Sequence, residues 1–475
     1  MVMGSLREET EVVVIGSGPG GYVAALRLAD LGKNVLLIEK RDRPGGTCLL
    51  EGCIPSKALI NAVEVKAAAL DAAEMGLSFK GLEVDPVKLR AWTDGIVQGL
   101  SDGVRGLLKR RGVTILQGHA RFDSPTSLAL EGGEVSGVDF QHAIIATGSS
   151  LNRLPEGIVP SVWSSADALR LPEVPGSLLV VGGGYIGLEM GLVYQGLGSK
   201  VSVVEFFPRL LMGADQDLVD IMVGQVSKRL ENIMLESRVL EIREVAAGGF
   251  DVDIDLGGEK VTHHYDKVLV AIGRRPNTDD IGLEHTKVRV DDKGFIITDE
   301  ECRTDEPHIY AIGDAAQGPM LAHKASREGK VAAESIHGGG DTAFDNRAIP
   351  AVVFTDPEIA WTGLTEREAA EQELDFDVGR FPLSALGRAR TLGRTDGMVK
   401  IIADRRSGLV LGVGIVGPMA SELIAEGTLA IEMGATLEDI MVTIHPHPTL
   451  SEAIMEAAEV AAGEAVHINP PRKVR

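Results

Sequence analysis

A chain of 475 residues, 44 % of them hydrophobic, has the length for about three domains of roughly 150 residues and the volume for real cores. Its 47 Lys and Arg against 69 Asp and Glu leave a net charge of −22, a surface that repels nucleic acid and anionic lipid, so neither is expected as a partner. Three cysteines, Cys48, Cys53 and Cys302, are too few for a disulfide scaffold or a four-cysteine zinc site, and no metal is expected.

The 57 glycines exceed the average share of about 7 % and cluster after apolar runs, where backbone must approach something closely. The first such run is Val12 to Ile15, an unbroken apolar stretch of the kind a buried parallel strand requires. It leads into Gly16, Gly18 and Gly21, a helix over Tyr22 to Leu31, and a second strand, Val35 to Glu39. In this pattern the first glycine makes the tight turn, the second admits a pyrophosphate, and the third lets helix pack on strand. The helix points its positive end at the phosphates. The terminal Glu39 is placed to accept a hydrogen bond from ribose hydroxyls.

Next comes Gly45-Gly-Thr-Cys-Leu-Leu-Glu-Gly-Cys-Ile-Pro-Ser-Lys57. On an ideal helix the Cα atoms of Cys48 and Cys53 would stand about 8.6 Å apart. That is beyond the ~7 Å reach of a disulfide. Pairing them demands a distorted helix, for which Gly52 and Pro55 supply freedom and a break. A strained bridge is the more easily reduced. No apolar leader or apolar run of about 18 residues is present, so the protein is expected in the cytoplasm. In that reducing compartment a close cysteine pair is more often catalytic than structural, and the solitary Cys302 is expected to be inert.

The pattern then repeats. At one constant offset, Gly16, Gly18 and Gly21 fall on Gly182, Gly184 and Gly187, and Glu39 falls on Glu205. The second copy has its own strand, Leu178 to Val181, helix, Leu188 to Leu197, and second strand, Val201 to Glu205. One glycine fingerprint is weak; two in register define two dinucleotide sites. Glu205 would face the 2′-phosphate of NADP at short range, so NAD is favoured, and Arg209 behind a glutamate is a poor phosphate clamp. Ala143 to Gly148 and Val268 to Gly273 carry the chain out of each unit at the strand ends where ligand lies. Ile309 to Asp314 ends in an acid that could meet the ribityl chain or pyrophosphate of a flavin. Glycines 338 to 340 and Asp341 mark a boundary loop. Beyond it, Val399 to Ala403 and Leu409 to Val416 read as a hairpin, and Ser421 to Met433 as a helix.

The last motif is His445-Pro-His-Pro-Thr-Leu-Ser-Glu452. A carboxylate bonded to one imidazole nitrogen fixes the tautomer and strengthens the other nitrogen as a base. The bond before Pro448 is expected to be cis, since a tight turn presenting a base tolerates the modest X-Pro penalty.

With these motifs in place the whole chain resembles the flavin-dependent pyridine nucleotide-disulfide oxidoreductases, the family of glutathione and mercuric reductases. Within it the resemblance is to the branch that oxidises protein-bound dihydrolipoyl groups. It implies an α/β fold of two Rossmann-like domains plus a C-terminal α+β dimerisation domain: an FAD domain over 1–150, an NAD domain over 151–275, a return to the FAD side over 276–345, and a dimer interface over 346–475. It further implies that Cys48 exchanges with substrate, Cys53 sits against the flavin as a thiolate, and Lys57 lies near the flavin's reactive nitrogen, paired with Glu189. His447, not His445, matches the family's base, with Glu452 orienting it, and reaches the other subunit's disulfide in a homodimer. Gly46, Thr47, Ala120, Thr147, Gly148, Ile186, Val239, Gly273, Arg274, Asp314 and Ala322 join the implied cofactor contacts.

The expected activity is therefore oxidation of a lipoylated carrier protein through the cysteine pair and FAD, with reduction of NAD. Two rivals stay open: a reductase for another disulfide such as glutathione, against which Glu205 argues, and a catalytically silent scaffold subunit, against which the intact cysteines and His447–Glu452 argue. One departure from the family's pattern concerns the loop between the cysteines, commonly Leu-Asn-Val-Gly and here Leu49-Leu-Glu-Gly52. Glu51 puts a carboxylate near the disulfide, which bears on its potential and its partner.

Overall fold

A computed structural model describes residues 7–152, 161–338, 340 and 342–469. Gly339 and Asp341 of the expected boundary loop lie outside the described residues. The chain opens with β1 (Arg7–Ile15), α1 (Pro19–Asp30) and β2 (Val35–Glu39). The helices α2 (Gly46–Glu51), α3 (Cys53–Asp71) and α4 (Pro86–Arg110) follow, then the strands β3 (Thr114–Gln117), β4 (His119–Ser124), β5 (Ser127–Glu131) and β6 (Gly137–Ile145). They form one sheet in the order β3-β2-β1-β6-β5-β4, parallel from β3 to β6. Val12 to Val14 are wholly buried, as an apolar run covered on both faces must be.

The second unit contains β7 (Ser149–Leu151), α5 (Ser165–Leu169), β8 (Ser177–Val181), α6 (Tyr185–Leu197), β9 (Lys200–Val204), α7 (Gln216–Val226) and β10 (Asn232–Met234). An antiparallel ribbon, β11 (Ser237–Glu244), β12 (Phe250–Leu256) and β13 (Glu259–Tyr265), precedes β14 (Lys267–Val270). The strands β10-β9-β8-β14 make a parallel sheet. The chain leaves through β15 (Arg274–Pro276), which pairs with β7. It then rejoins the first sheet as β16 (Ile309–Ala311), parallel to β6. The helix α8 (Ala322–His337) lies on α1 so closely that a Cβ on Gly329 would stand 2.6 Å from the Gly20 carbonyl oxygen.

Both fingerprint helices begin three residues earlier than the sequence suggested, at Pro19 and Tyr185 rather than Tyr22 and Leu188. Gly18 and Gly184 are extended and act as the caps, and Pro19 is already set for the first helical position. The cores therefore start their first turn inside the glycine motif.

The third unit runs β17 (Ala351–Val353), β18 (Glu358–Gly363), α9 (Glu366–Glu371), β19 (Phe376–Pro382), α10 (Gly387–Thr391), β20 (Met398–Asp404), β21 (Val410–Gly417), α11 (Ala420–Met433), α12 (Leu437–Val442) and α13 (Glu452–Ala462). Its five strands are antiparallel in the order β17-β18-β21-β20-β19. The expected hairpin is β20–β21, with Val399 opposite Ile415, and the expected helix is α11.

Lys400 on β20, 1 % exposed, ties this unit to the second. Its Nζ lies 2.7 Å from Asp215, 2.6 Å from Asp217 and 2.7 Å from Glu366. Those three acids are the one group among the described residues close enough to hold a metal ion, and the ammonium already occupies their centre. Among the described residues no helix is long and apolar enough to cross a membrane.

Candidate functional site

The two fingerprints reproduce each other atom by atom. A Cβ on Gly16 would stand 2.3 Å from the Ala146 carbonyl oxygen, and one on Gly182 2.5 Å from that of Ala271. A Cβ on Gly21 would meet the Gly16 carbonyl oxygen at 1.9 Å, and one on Gly187 that of Gly182 at 2.0 Å. These four glycines are demanded by backbone packing. Gly18 and Gly184 are different: a Cβ there meets nothing closer than 3.9 Å, and Gly148 is equally open but is held as glycine by its φ of +71°, so these three leave room beside the backbone. The acids match as well. Glu39 accepts the Ser17 amide at 2.9 Å and the Arg41 amide at 3.0 Å; Glu205 accepts those of Gly183 at 2.6 Å and Phe207 at 2.8 Å. Each carboxylate is held rigid at the end of its second strand, with lone pairs left for a diol.

From the first fingerprint a single cleft runs past the cysteines to the second unit. Its course from the first fingerprint to the second unit suits an extended dinucleotide. Its walls include Gly16, Gly18, Gly21, Glu39, Gly46, Thr47, Cys48, Cys53, Lys57, Ala120, Thr147, Gly148, Ile186, Glu189, Arg274, Asp314 and Ala322. Gly182, Gly184, Gly187, Glu205, Val239 and Gly273 do not line it. They belong to the second fingerprint and its neighbouring strands, with Val239 on β11 packed against the core cluster that contains Val204 and Val270.

The helix break expected between the cysteines is at Gly52, where φ is −143° and ψ −110°, so α2 ends and α3 begins anew at Cys53. Pro55 sits in the first turn of α3, where its missing N–H costs nothing. The structure holds both cysteines as thiols, Cys48 half-buried and Cys53 open to the cleft. A hydrogen bond from Cys48, helped by the Lys57 charge and opposed by burial, lowers the Cys53 pKa to about 7. The same bond and burial push Cys48 far up, a direction that favours Cys53 as the thiolate of the pair.

Lys57 Nζ lies 2.7 Å from Glu189 Oε2, pairing α3 with α6 as the sequence suggested. The ring of Phe354 lies under the same ammonium, 4.4 Å away, and the Phe354 amide donates to Glu189 Oε1 at 3.1 Å. No sequence signal links Phe354 to the cleft, because it follows β17 in the third unit. Ser149 was equally silent. Its hydroxyl donates to Asp314 Oδ2 at 2.5 Å and accepts from Arg274 Nε at 2.8 Å, joining the exits of both units. Ser17, inside the fingerprint, donates its hydroxyl to Glu39 at 2.5 Å, a role its spacing from Glu39 could have suggested.

His447 and Glu452 meet each other but not this cleft. His447 Nδ1 is 2.9 Å from Glu452 Oε1, and the Thr449 amide donates to Glu452 Oε2 at 2.7 Å. Burial opposes ionisation, but these two bonds keep Glu452 below the usual carboxylate range. The ring is 78 % exposed and the His447–Pro448 bond is cis. His445 is the buried member of the motif, fixed by Glu426 at 2.7 Å and the Thr443 carbonyl at 2.9 Å, which makes it structural.

Two glycine cradles, a thiol pair on a broken helix and an exposed oriented imidazole define a two-nucleotide disulfide oxidoreductase. The family model described as pyridine nucleotide-disulphide oxidoreductase matches residues 10–329, and that of its dimerisation domain matches residues 349–458. The chain belongs to this family. It is 47 % identical to a dihydrolipoyl dehydrogenase of Haloferax volcanii, with 98 % of this chain and 99 % of that protein covered. It is 45 % identical to the protein of the same name from Geobacillus stearothermophilus, over 98 % and 99 % of the two chains. For that of Bacillus subtilis the identity is 44 %, over 98 % and 100 %.

Proposed function

We propose that the chain is a cytoplasmic dihydrolipoyl dehydrogenase that forms a homodimer, oxidises the dihydrolipoyl group of a carrier protein and reduces NAD. The observation that carries this is the placement of Cys48 and Cys53 beside Lys57–Glu189 in the cleft that begins at the first fingerprint. The bare faces of Gly18 and Gly148, with the fixed Glu39, fit FAD in that cleft; Gly184 and Glu205 fit NAD. Bound there, FAD supplies the two-electron relay between the thiols and NAD.

The protein's own residues handle the thiol chemistry. His447 of a second copy accepts a proton from one dihydrolipoyl thiol, its Nδ1 held by Glu452. The thiolate attacks Cys48 Sγ, and Cys53 leaves as the thiolate that the Lys57 charge favours. The second lipoyl thiol then attacks the lipoyl sulfur of the mixed disulfide, closing the lipoyl ring and passing its proton to the departing Cys48, so that one proton ends on His447 and one on Cys48. The test is direct. Purified protein with FAD should reduce NAD with dihydrolipoamide. Inactivity there, alongside NADPH-dependent reduction of glutathione disulfide, would overturn the reading.

A further inference from the structure

Glu51 is the one carboxylate placed between the cysteines in the chain, and the mechanism above makes no use of it. It is the last residue of α2, lines the cleft, and lies two residues from Cys53, a Cα separation of at most about 7.6 Å. An uncompensated negative charge there would disfavour the Cys53 thiolate. It is not left uncompensated. Glu51 Oε2 lies 2.8 Å from Arg41 Nη2, and Oε1 lies 3.8 Å from Arg170, at the end of α5. Arg41 also borders the cleft, and its backbone amide is one of the donors that hold Glu39. Its Nη1 has no hydrogen-bond partner within the protein, and Glu51 is the carboxylate that pairs with its guanidinium.

We infer that Arg41 and Glu51 form a charge-balanced strut that sets the reduction potential of the Cys48–Cys53 disulfide. This rests on the reading of those cysteines as the redox pair. Reduction adds two electrons to the disulfide, giving a Cys53 thiolate and, with one proton, a Cys48 thiol. The thiolate is the only new charge, so any net charge nearby shifts the equilibrium with a definite sign. Removing Glu51 exposes Cys53 to unbalanced arginine and favours the dithiol form. Removing Arg41 leaves the Glu51 charge unbalanced near the thiolate and favours the disulfide. With the Cα separation of about 8 Å taken as the distance between the charges, a unit charge at an effective dielectric constant of 20–40 is worth about five- to thirtyfold in an equilibrium constant. Glu51 is a third exposed, and solvent screening reduces this to about three- to tenfold. For a two-electron couple that is about 15–30 mV.

The experiment equilibrates the flavin-containing protein with mixtures of reduced and oxidised dithiothreitol at pH 7, blocks free thiols and counts them by mass at residues 48 and 53. Glu51→Gln should shift the equilibrium about three- to tenfold toward dithiol, and Arg41→Met by a similar factor toward disulfide. The double variant should return to within about twofold of the starting protein. Arg170→Gln, which alters an exposed side chain outside the glycine cradle, should move the same way as Arg41→Met by a smaller factor. A strut with only a packing role would move both single variants in one direction, and that result, or shifts under twofold, would overturn the inference. If no Cys48–Cys53 disulfide forms at all, the redox reading of the site fails instead, which the same mass measurement distinguishes.

Discussion

Glu39 and Glu205 hold the same post in two copies of one motif, each clamped by an amide of its glycine turn and by the amide two residues beyond itself. The side chain two residues on is where the copies part: Arg41 follows Glu39, whereas Phe207 follows Glu205, with exposed Phe206 beside it. The second site therefore has a fixed carboxylate without a cation directly behind it.

That difference predicts cofactor choice. A rigid Glu205 opposes a 2′-phosphate, and NAD should be preferred to NADP by at least about tenfold in kcat/KM, or about 1.4 kcal/mol. Glu205→Ser should narrow the gap mainly by improving NADP. Comparable efficiencies in the unsubstituted enzyme would refute the assignment of Glu205.

The thiol pair predicts a pH dependence with a definite sign. With a Cys53 pKa near 7, the reduced protein's alkylation at Cys53 should rise as pH climbs through about 7 and level off above it, since only the thiolate reacts. The leading cause of the low value is the hydrogen bond from Cys48. Cys48→Ser keeps a donor and Cys48→Ala removes it, so the alanine variant should titrate at higher pH. Equal midpoints, read by peptide mass after iodoacetamide pulses, would show that Lys57 alone does the work.

Much of this was legible in the sequence because the informative groups are local. The turn, cap and acid of each fingerprint lie within about two dozen residues, and the backbone geometry that requires Gly16 or Gly182 is written in the glycine itself. The break at Gly52 was legible for the same reason. What stayed hidden is long-range: Phe354 under Lys57, Ser149 between Arg274 and Asp314, and Lys400 among Asp215, Asp217 and Glu366. Such contacts carry no periodicity, because they are set by how whole units pack. The helix starts at Pro19 and Tyr185 were misplaced because a glycine cap has no side chain to announce it.

Lys400 carries a stability prediction. Lys400→Met would leave three clustered carboxylates without their ammonium in a site where the lysine is 1 % exposed. Losing one partner of a fully buried pair costs about 3–5 kcal/mol. Arg380 remains bonded to Asp217 and Glu366, and those two acids are about one-third exposed, so about 2–4 kcal/mol is expected here. Urea unfolding of the purified variant reads it. An unchanged midpoint would mean that solvent relaxes the acids fully.

The last prediction concerns where the base acts. Within one chain His447 is absent from the walls of the cysteine cleft, yet its ring is exposed and oriented by Glu452. An oriented base that stands apart from the cysteine cleft of its own chain is accounted for if it serves a second copy across a two-fold axis. Cys48→Ser and His447→Ala should each give a nearly inactive dimer. When the two are co-expressed, a mixed dimer contains one site with both residues intact and one with neither. Random pairing makes about half the dimers mixed, so roughly a quarter of the unsubstituted activity should return. If Cys48 and His447 instead met within a single chain, no pairing would rebuild a complete site and activity would stay at the level of the parents. Mass spectrometry of the intact dimers confirms that mixed species are present, and their inactivity would end the shared-site reading.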